Sequence, residues 1–367
     1  MISYTVGQIA EALGAKAFGA LDIVITGTAE PQDASATTLA LAMSPKYAEH
    51  LAHGDARAAM LWEGADFAAL GLEAAIIAPR PRFAMSGLSA MLDAGQGFDA
   101  GHHASAVIDP SAEIGEDVRI GPLCVIAKGA RIGAGSVLGP QCHIGWDAEI
   151  GEGAYLREGV SIGARVRIGA RFIAQPGARI GGDGFSFVTP EPSHIEAVRD
   201  SLGADQTATQ SAGQSYARIH SLGTVEIGDD VEIGASACID NGTVRATRIG
   251  NGVKIDNLAQ IGHNVVVGDD CLICAQVGIA GSTRLGRAVV LGGQTGVSDN
   301  LFIGDGAVTG GATKVLANVP AGRVMLGYPA MKMDNHIETY KALRRLPRMM
   351  REFATIKKLV SKSGVND

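Results

Sequence analysis

Lys254-Ile-Asp-Asn-Leu-Ala-Gln-Ile-Gly-His-Asn-Val-Val-Val-Gly268 sets Ile255, Ile261 and Val267 six residues apart, and the spacing carries on through Ile273, Ile279, Leu285, Leu291, Val297 and Ile303. Upstream the same interval runs from Ile108 to Ile180 over thirteen positions, twelve of them Ile or Leu and most followed by Gly. A branched aliphatic at every sixth residue can point into a common core if the chain turns a corner after each short strand, and the glycine permits the corner. The period predicts a parallel β-helix of triangular cross-section, with about 18 residues in each three-hexapeptide coil. It leaves the handedness open, although the general rule for parallel crossovers favours a right-handed turn.

Working outward, the register breaks at Gly181-Gly-Asp-Gly-Phe-Ser-Phe187, and a polar segment follows to about Ala217. The period returns at Ile227, Ile233 and Ile239, skips four residues before Arg248, and resumes from Ile249 to Val315. A long loop leaving a solenoid is either a disordered insertion or a binding loop, and two excursions so close together point to a built-up site. Residues 1–100 lack the repeat and read as a small α/β domain. Thr5 caps a short helix there that stops at Gly14, strands lie near Ile23, Leu39, Ala58 and Ala74, and helices are expected after Pro45 and Pro81. The coil then occupies 101–322, with a loop insertion at about 182–217. A helical extension follows over 323–367, interrupted or kinked by Pro347.

The chain has 367 residues, 50 of them Gly, with 46% hydrophobic and only 5% aromatic residues, which suits many short strands and tight turns. Its net charge of −7 argues against nucleic acid as a partner. With no membrane-length apolar run and no basic leader before an apolar stretch, the expectation is a soluble cytoplasmic enzyme with at most peripheral membrane contact. Cys271 and Cys274 have metal-site spacing, but Cys124, Cys142 and Cys271 all fall two residues before a repeat aliphatic. They read as small core residues, and no metal site is expected. The tail is basic: eight Lys or Arg face four acids over 333–367. It reads either as a solvated helix that caps the coil or packs in an oligomer, or as a dock for an acidic partner.

His263 stands inside the register with Asp256 seven residues before it. An imidazole titrates near neutral pH and a carboxylate can fix its tautomer, so the pair suits general base catalysis. One coil of 18 residues places Gly281 directly above or below His263, where its N–H could meet an oxyanion. Asn257, Gln260 and Asn264 crowd the same turns with polar groups and read as substrate-binding.

The segment Lys254–Gly268 closely resembles the active-site segment of the UDP-3-O-acyl-glucosamine N-acyltransferases of lipid A synthesis. Gly182-Asp-Gly-Phe185, Ile227–Gly234 and Ile249–Lys254 are similar too, as is the order of head, coil and tail. The resemblance implies a left-handed parallel β-helix, a homotrimer with sites between neighbouring coils, and transfer of a 3-hydroxyacyl chain. The donor is the phosphopantetheine of acyl carrier protein, the acceptor is the 2-amine of UDP-3-O-(3-hydroxyacyl)-glucosamine, and the enzyme itself binds no cofactor. By position, His263 takes the amine proton, Asp256 orients it, and the Gly281 N–H stabilises the oxyanion. Asp183 and Phe185 lie in a substrate-binding segment, and Ser44, Lys46 and Tyr47 resemble the uridine-binding segment, with Tyr47 stacking on uracil. The carrier is acidic, which favours docking at Arg344, Arg345 and Arg348. The chain departs from the family pattern at Leu41, Ser44 and Asn300, and its loop after Phe187 is longer. A related hexapeptide acyltransferase acting on another nucleotide amino sugar is the nearest alternative.

Overall fold

The computed structural model describes residues 2–191, 215–327 and 329–363, so part of the expected insertion loop lies outside the described residues. The chain divides into two compact units, Met1–Gly97 and Phe98–Asp367.

In the first unit, helix α1 (Val6–Ala12) begins with a capping box between Thr5 and Gln8 and gives way to Gly14 at φ 58°, as the Thr-to-Gly spacing predicts. Five strands form one sheet in the order Lys16–Gly19, Ala74–Ile77, Ala58–Leu61, Thr38–Ala42, Gly27–Ala29, parallel except at the Lys16–Gly19 edge. The outer strands Lys16–Gly19 and Gly27–Ala29 lack long apolar runs, and the hydrophobic pattern alone does not reveal them. Helix α2 (Pro45–Ala48) and helix α3 (Pro81–Leu92) start at the two expected prolines.

In the second unit, strands of two to four residues stack into three parallel sheets of ten, nine and ten described strands. The first sheet runs from Val107–Ile108 to Lys314–Val315, the second from Glu113–Ile114 to Phe302–Ile303, and the third from Arg119–Ile120 to Val324–Met325. Ile126, Ile144 and Ile162 pair in register, so each coil advances eighteen residues. The repeat aliphatics and the residues two before them fill the interior, including Cys124, Cys142 and Cys271. Among the described residues, no cluster of His, Cys, Asp and Glu could hold a metal ion.

The outward rows of the sheets differ. On the second sheet, Arg131 bridges Glu113 and Glu149, and Arg248 pairs with Glu226, a solvated ladder of alternating charge. On the third sheet, the outward row is largely apolar, including Val137, Tyr155, Ile173, Leu272, Val290, Val308 and Val324.

The two excursions leave the coil at one place. Arg179 pairs with Cys238 and Cys238 with Gln260, so both interruptions lie on the corner between the first and second sheets. Helix α4 (Met333–Ser363) runs through Pro347 without ending there, although proline removes one backbone donor. Among the described residues no helix is long and apolar enough to cross a membrane.

Candidate active site

His263 lies two residues past Ile261 and therefore on the corner from which both excursions depart. It opens onto a cavity of about 800 Å³ walled on one side by Phe185, Phe187 and Tyr216 and on the other by Gly281, Ser282, Asp299 and Asn300. The aromatic wall is a hairpin of Phe187–Val188 against Ala217–Arg218. Arg218 lies over the Phe187 ring at 4.8 Å, and Phe185 meets the same ring edge-on at 5.0 Å while remaining 87% exposed. Arg218 also faces Asp183 at 3.9 Å.

The orientation of the imidazole follows from its neighbour. His263 Nδ1 stands 2.9 Å from the Asn264 side-chain oxygen. That oxygen also accepts from the Thr243 amide and hydroxyl, while Asn264 Nδ2 donates to the Arg245 carbonyl, which fixes which end of the amide faces the ring. An amide oxygen can only accept, so in the neutral ring Nδ1 carries the hydrogen and the lone pair falls to Nε2. Asn264 is only 4% exposed and sits at φ 61°, in the left-handed region. It is therefore buried behind the imidazole and is not among the residues lining the cavity.

Gly281 stacks on His263 as the coil length requires. The Ser282 amide donates to the His263 carbonyl at 2.9 Å, and a Cβ added at Gly281 would lie 2.6–3.0 Å from Cε1, Nε2 and Nδ1 of the ring. Among the described residues, no hydrogen bond is donated by the Gly281 amide.

Asp240, absent from the sequence reading, joins this corner from the coil below. Burial pushes its carboxyl above the ordinary range, while a hydrogen bond with Gln260 and the nearby His263 imidazole pull it back. The signal for it in the sequence is its place one residue past Ile239, at the root of the second excursion.

The expected pair of Asp256 with His263 is not formed within the chain. Asp256 follows Ile255 on the corner between the third and first sheets, where it accepts from the Asn257 amide and lines a groove with Lys254, Asn257 and Cys274. The Cys274 thiol there is pushed up by burial and by the Asp256 charge. Seven residues carry the chain across a whole face, so closeness in sequence sends the two side chains to different corners. Asn257 caps the Ala235 amide at 2.6 Å, and Gln260 faces outward on the first sheet, reaching the site only through Asp240.

In the first unit, Ser44 is extended and precedes α2 at the C-terminal end of strand Thr38–Ala42. Lys46 is exposed, and half of Tyr47 is open to solvent. Crevices at the C-terminal ends of parallel strands are the usual ligand sites of such sheets. On α4, Arg344, Arg345 and Arg348 are exposed, with Arg348 bound to Glu352 at 2.8 Å.

The family model for the bacterial transferase hexapeptide (six repeats) matches residues 111–145, 123–158 and 246–281. A UDP-3-O-acylglucosamine N-acyltransferase of Ruegeria pomeroyi is 64% identical over 366 residues, 100% of either chain. Proteins of the same name from Paracoccus denitrificans and Syntrophotalea carbinolica are 52% and 42% identical, covering 99% and 97% of this chain and 100% and 96% of theirs. A solved UDP-N-acetylglucosamine acyltransferase of Arabidopsis shares the fold, with a TM-score of 0.50 at 22% identity over 62% of this chain and 71% of that one.

Proposed function

The chain belongs to the UDP-3-O-acylglucosamine N-acyltransferase family and is an acyltransferase; from that premise we propose that it moves a 3-hydroxyacyl chain from acyl carrier protein to the 2-amine of UDP-3-O-(3-hydroxyacyl)-glucosamine. The product is the UDP-2,3-diacylglucosamine precursor of lipid A. The observation that carries this reading is the imidazole of His263, held by Asn264 and lining a cavity together with the Gly281 stacked against it, whose amide is uncapped among the described residues.

In the proposed reaction the neutral amine attacks the thioester carbonyl carbon, and the carbonyl π electrons move to oxygen. His263 Nε2 takes the amine proton. The Gly281 N–H receives the oxyanion, a contact typically worth about 3 kcal/mol in the transition state. Collapse breaks the C–S bond, and the imidazolium gives its proton to the departing pantetheine thiolate. The carboxyl of Asp240, within electrostatic reach of the ring, favours the imidazolium as it forms.

Two further features support finer parts of the reading. The apolar outward row of the third sheet favours packing against other copies in a homotrimer, where Asp256 and Asn257 would serve at the interface. The exposed Arg344 and Arg345 on α4 favour an acidic carrier, with Arg348 already engaged by Glu352. In the first unit, Tyr47 offers a ring for uracil, with Ser44 and Lys46 beside it in sequence.

The test is acyl transfer from 3-hydroxyacyl carrier protein to UDP-3-O-acyl-glucosamine by the intact chain and by His263→Ala of verified fold. A fall in kcat of about 100-fold or more is expected. Near-normal turnover in the variant would remove His263 from the role of base. Inactivity of the intact chain would redirect attention to another nucleotide amino sugar.

A further inference from the structure

We propose that Gly184 is a positioning residue for the base: its bare Cα seats the His263 imidazole against Gly281 and ties it to the long excursion. The proposal rests on the reading of His263 as the general base. Gly184 is buried and its φ lies outside the left-handed region, so its conformation is open to other residues. What a side chain there would meet is the histidine. An added Cβ would lie 2.8 Å from His263 Cβ and 3.3 Å from Cγ and Cδ2, while one at Gly281 would lie 2.6 Å from Cε1 and 2.7 Å from Nε2. The ring is thus held between two residues without side chains, its root edge against one and its reactive edge against the other. A clash at the root cannot be relieved by rotating the ring, because His263 Cβ moves only with its backbone.

The same turn reaches the imidazole by a second route. The Gly184 amide donates to Ser221 Oγ at 3.0 Å. The next two residues, Leu222 and Gly223, donate to the Thr243 carbonyl at 2.8 and 3.1 Å, and Thr243 in turn donates to the Asn264 oxygen that receives His263 Nδ1–H. Phe185 and Phe187, on the cavity wall, follow Gly184 directly. A ligand pressed against that wall therefore acts on the seat of the base. Gly182, two residues earlier, supplies the contrast, because a Cβ there meets nothing within 4 Å.

The experiment compares Gly184→Ala with Gly182→Ala in the full chain by two readouts. In acyl transfer, Gly184→Ala is expected to lower kcat about 10- to 100-fold with KM changed less than about 3-fold, since misplacement by about 1 Å costs that much, while the open space at Gly182 means that Gly182→Ala leaves the His263 ring in its seat. In 15N spectra of histidine-labelled, unliganded protein, with the His263 signals assigned by their loss in His263→Ala, the parent shows the Nδ1–H tautomer. Gly184→Ala moves those signals toward a mixture of tautomers. Ser221→Ala, which only loosens the seat, gives the same pair of changes at about 3- to 10-fold in kcat and serves if the alanine at 184 fails to fold. Unchanged His263 signals, or a change in KM alone, would overturn the proposal. If the parent transfers no acyl chain yet Gly184→Ala still shifts the signals, the positioning role stands and the assigned reaction falls.

Discussion

Two corners of the same coil use one position of the repeat in opposite ways. Between the second and third sheets, at four of the coils, the residue two past the inward aliphatic turns its amide off the sheet ladder and an oxygen from the next coil caps it. Ala170 donates to Asp229, Asp229 to Asn251, Asn251 to Asp269 and Arg287 to Asp305, all at 2.8–2.9 Å. Between the first and second sheets the same position holds His263 and then Gly281. Gly281 brings no oxygen to the coil before it, and its own amide makes no described hydrogen bond. A backbone donor left without a partner is usually a cost. Here the position that is capped on one edge of the prism leaves an unpaired donor beside the cavity on another.

The sharpest way to break this comparison is to put a side chain on the uncapped corner. Gly281→Ala places a methyl 2.7 Å from Nε2 and is expected to lower kcat by about 100-fold or more, with the coil intact by circular dichroism. Retained activity would mean that the oxyanion and the base lie elsewhere. A second, somewhat smaller effect is expected from Asn264→Ala, about 10- to 100-fold in kcat, as the Nδ1–H tautomer loses its acceptor. This variant also costs about 1–2 kcal/mol of stability, because alanine is poor at φ 61° and the side-chain hydrogen bonds to Thr243 and Arg245 are lost. Urea unfolding separates that loss from the kinetic one.

At the capped corner the expectation reverses. Asp269→Ala removes the oxygen that receives the Asn251 amide and should lower stability by about 1 kcal/mol while kcat stays within about 2-fold. A kinetic defect there would show that the two corners are coupled through the coil.

The sequence makes the coil legible because one inward aliphatic per six residues is a constraint of the interior, and it shows in nearly every hexapeptide outside the two excursions. It also makes Gly281 legible, since eighteen residues is one coil. Asn264 and Asp240 escape that logic. Asn264 looks like one more polar residue at a turn until Thr243 and Arg245, from an excursion outside the period, are seen to hold its amide. Asp240 belongs to a coil separated from the next by the four extra residues, so counting eighteen does not bring it to His263. Asp256 has the converse history. Seven residues are close in the chain, yet they cross a face, and the carboxylate turns to another corner. The tail shows a similar limit: Pro347 marks a break by its chemistry, but one lost hydrogen bond in a helix of 31 residues does not end it.

The smallest expected effect tests the contrast most finely, because stability and rate should move in opposite directions. Burial raises the Asp240 carboxyl above its ordinary 3.8. A carboxyl whose folded pKa is raised binds its proton more tightly in the native state, so above that folded value the ionised group takes stability away from the fold. The penalty is fully present above the folded pKa and fades as the pH falls from there toward the unfolded one, below which both states are protonated. Asp240→Asn is therefore expected to raise Tm at pH 7 by about 1–2 °C, with the gain shrinking toward pH 4. The same change removes the negative charge that favours the His263 imidazolium, so kcat should fall about 3- to 10-fold. Asp269 at the capped corner loses stability and keeps its rate, whereas Asp240 should gain stability and lose rate. A fall in both Tm and kcat would make Asp240 a structural residue and confine the division of labour to Gly281.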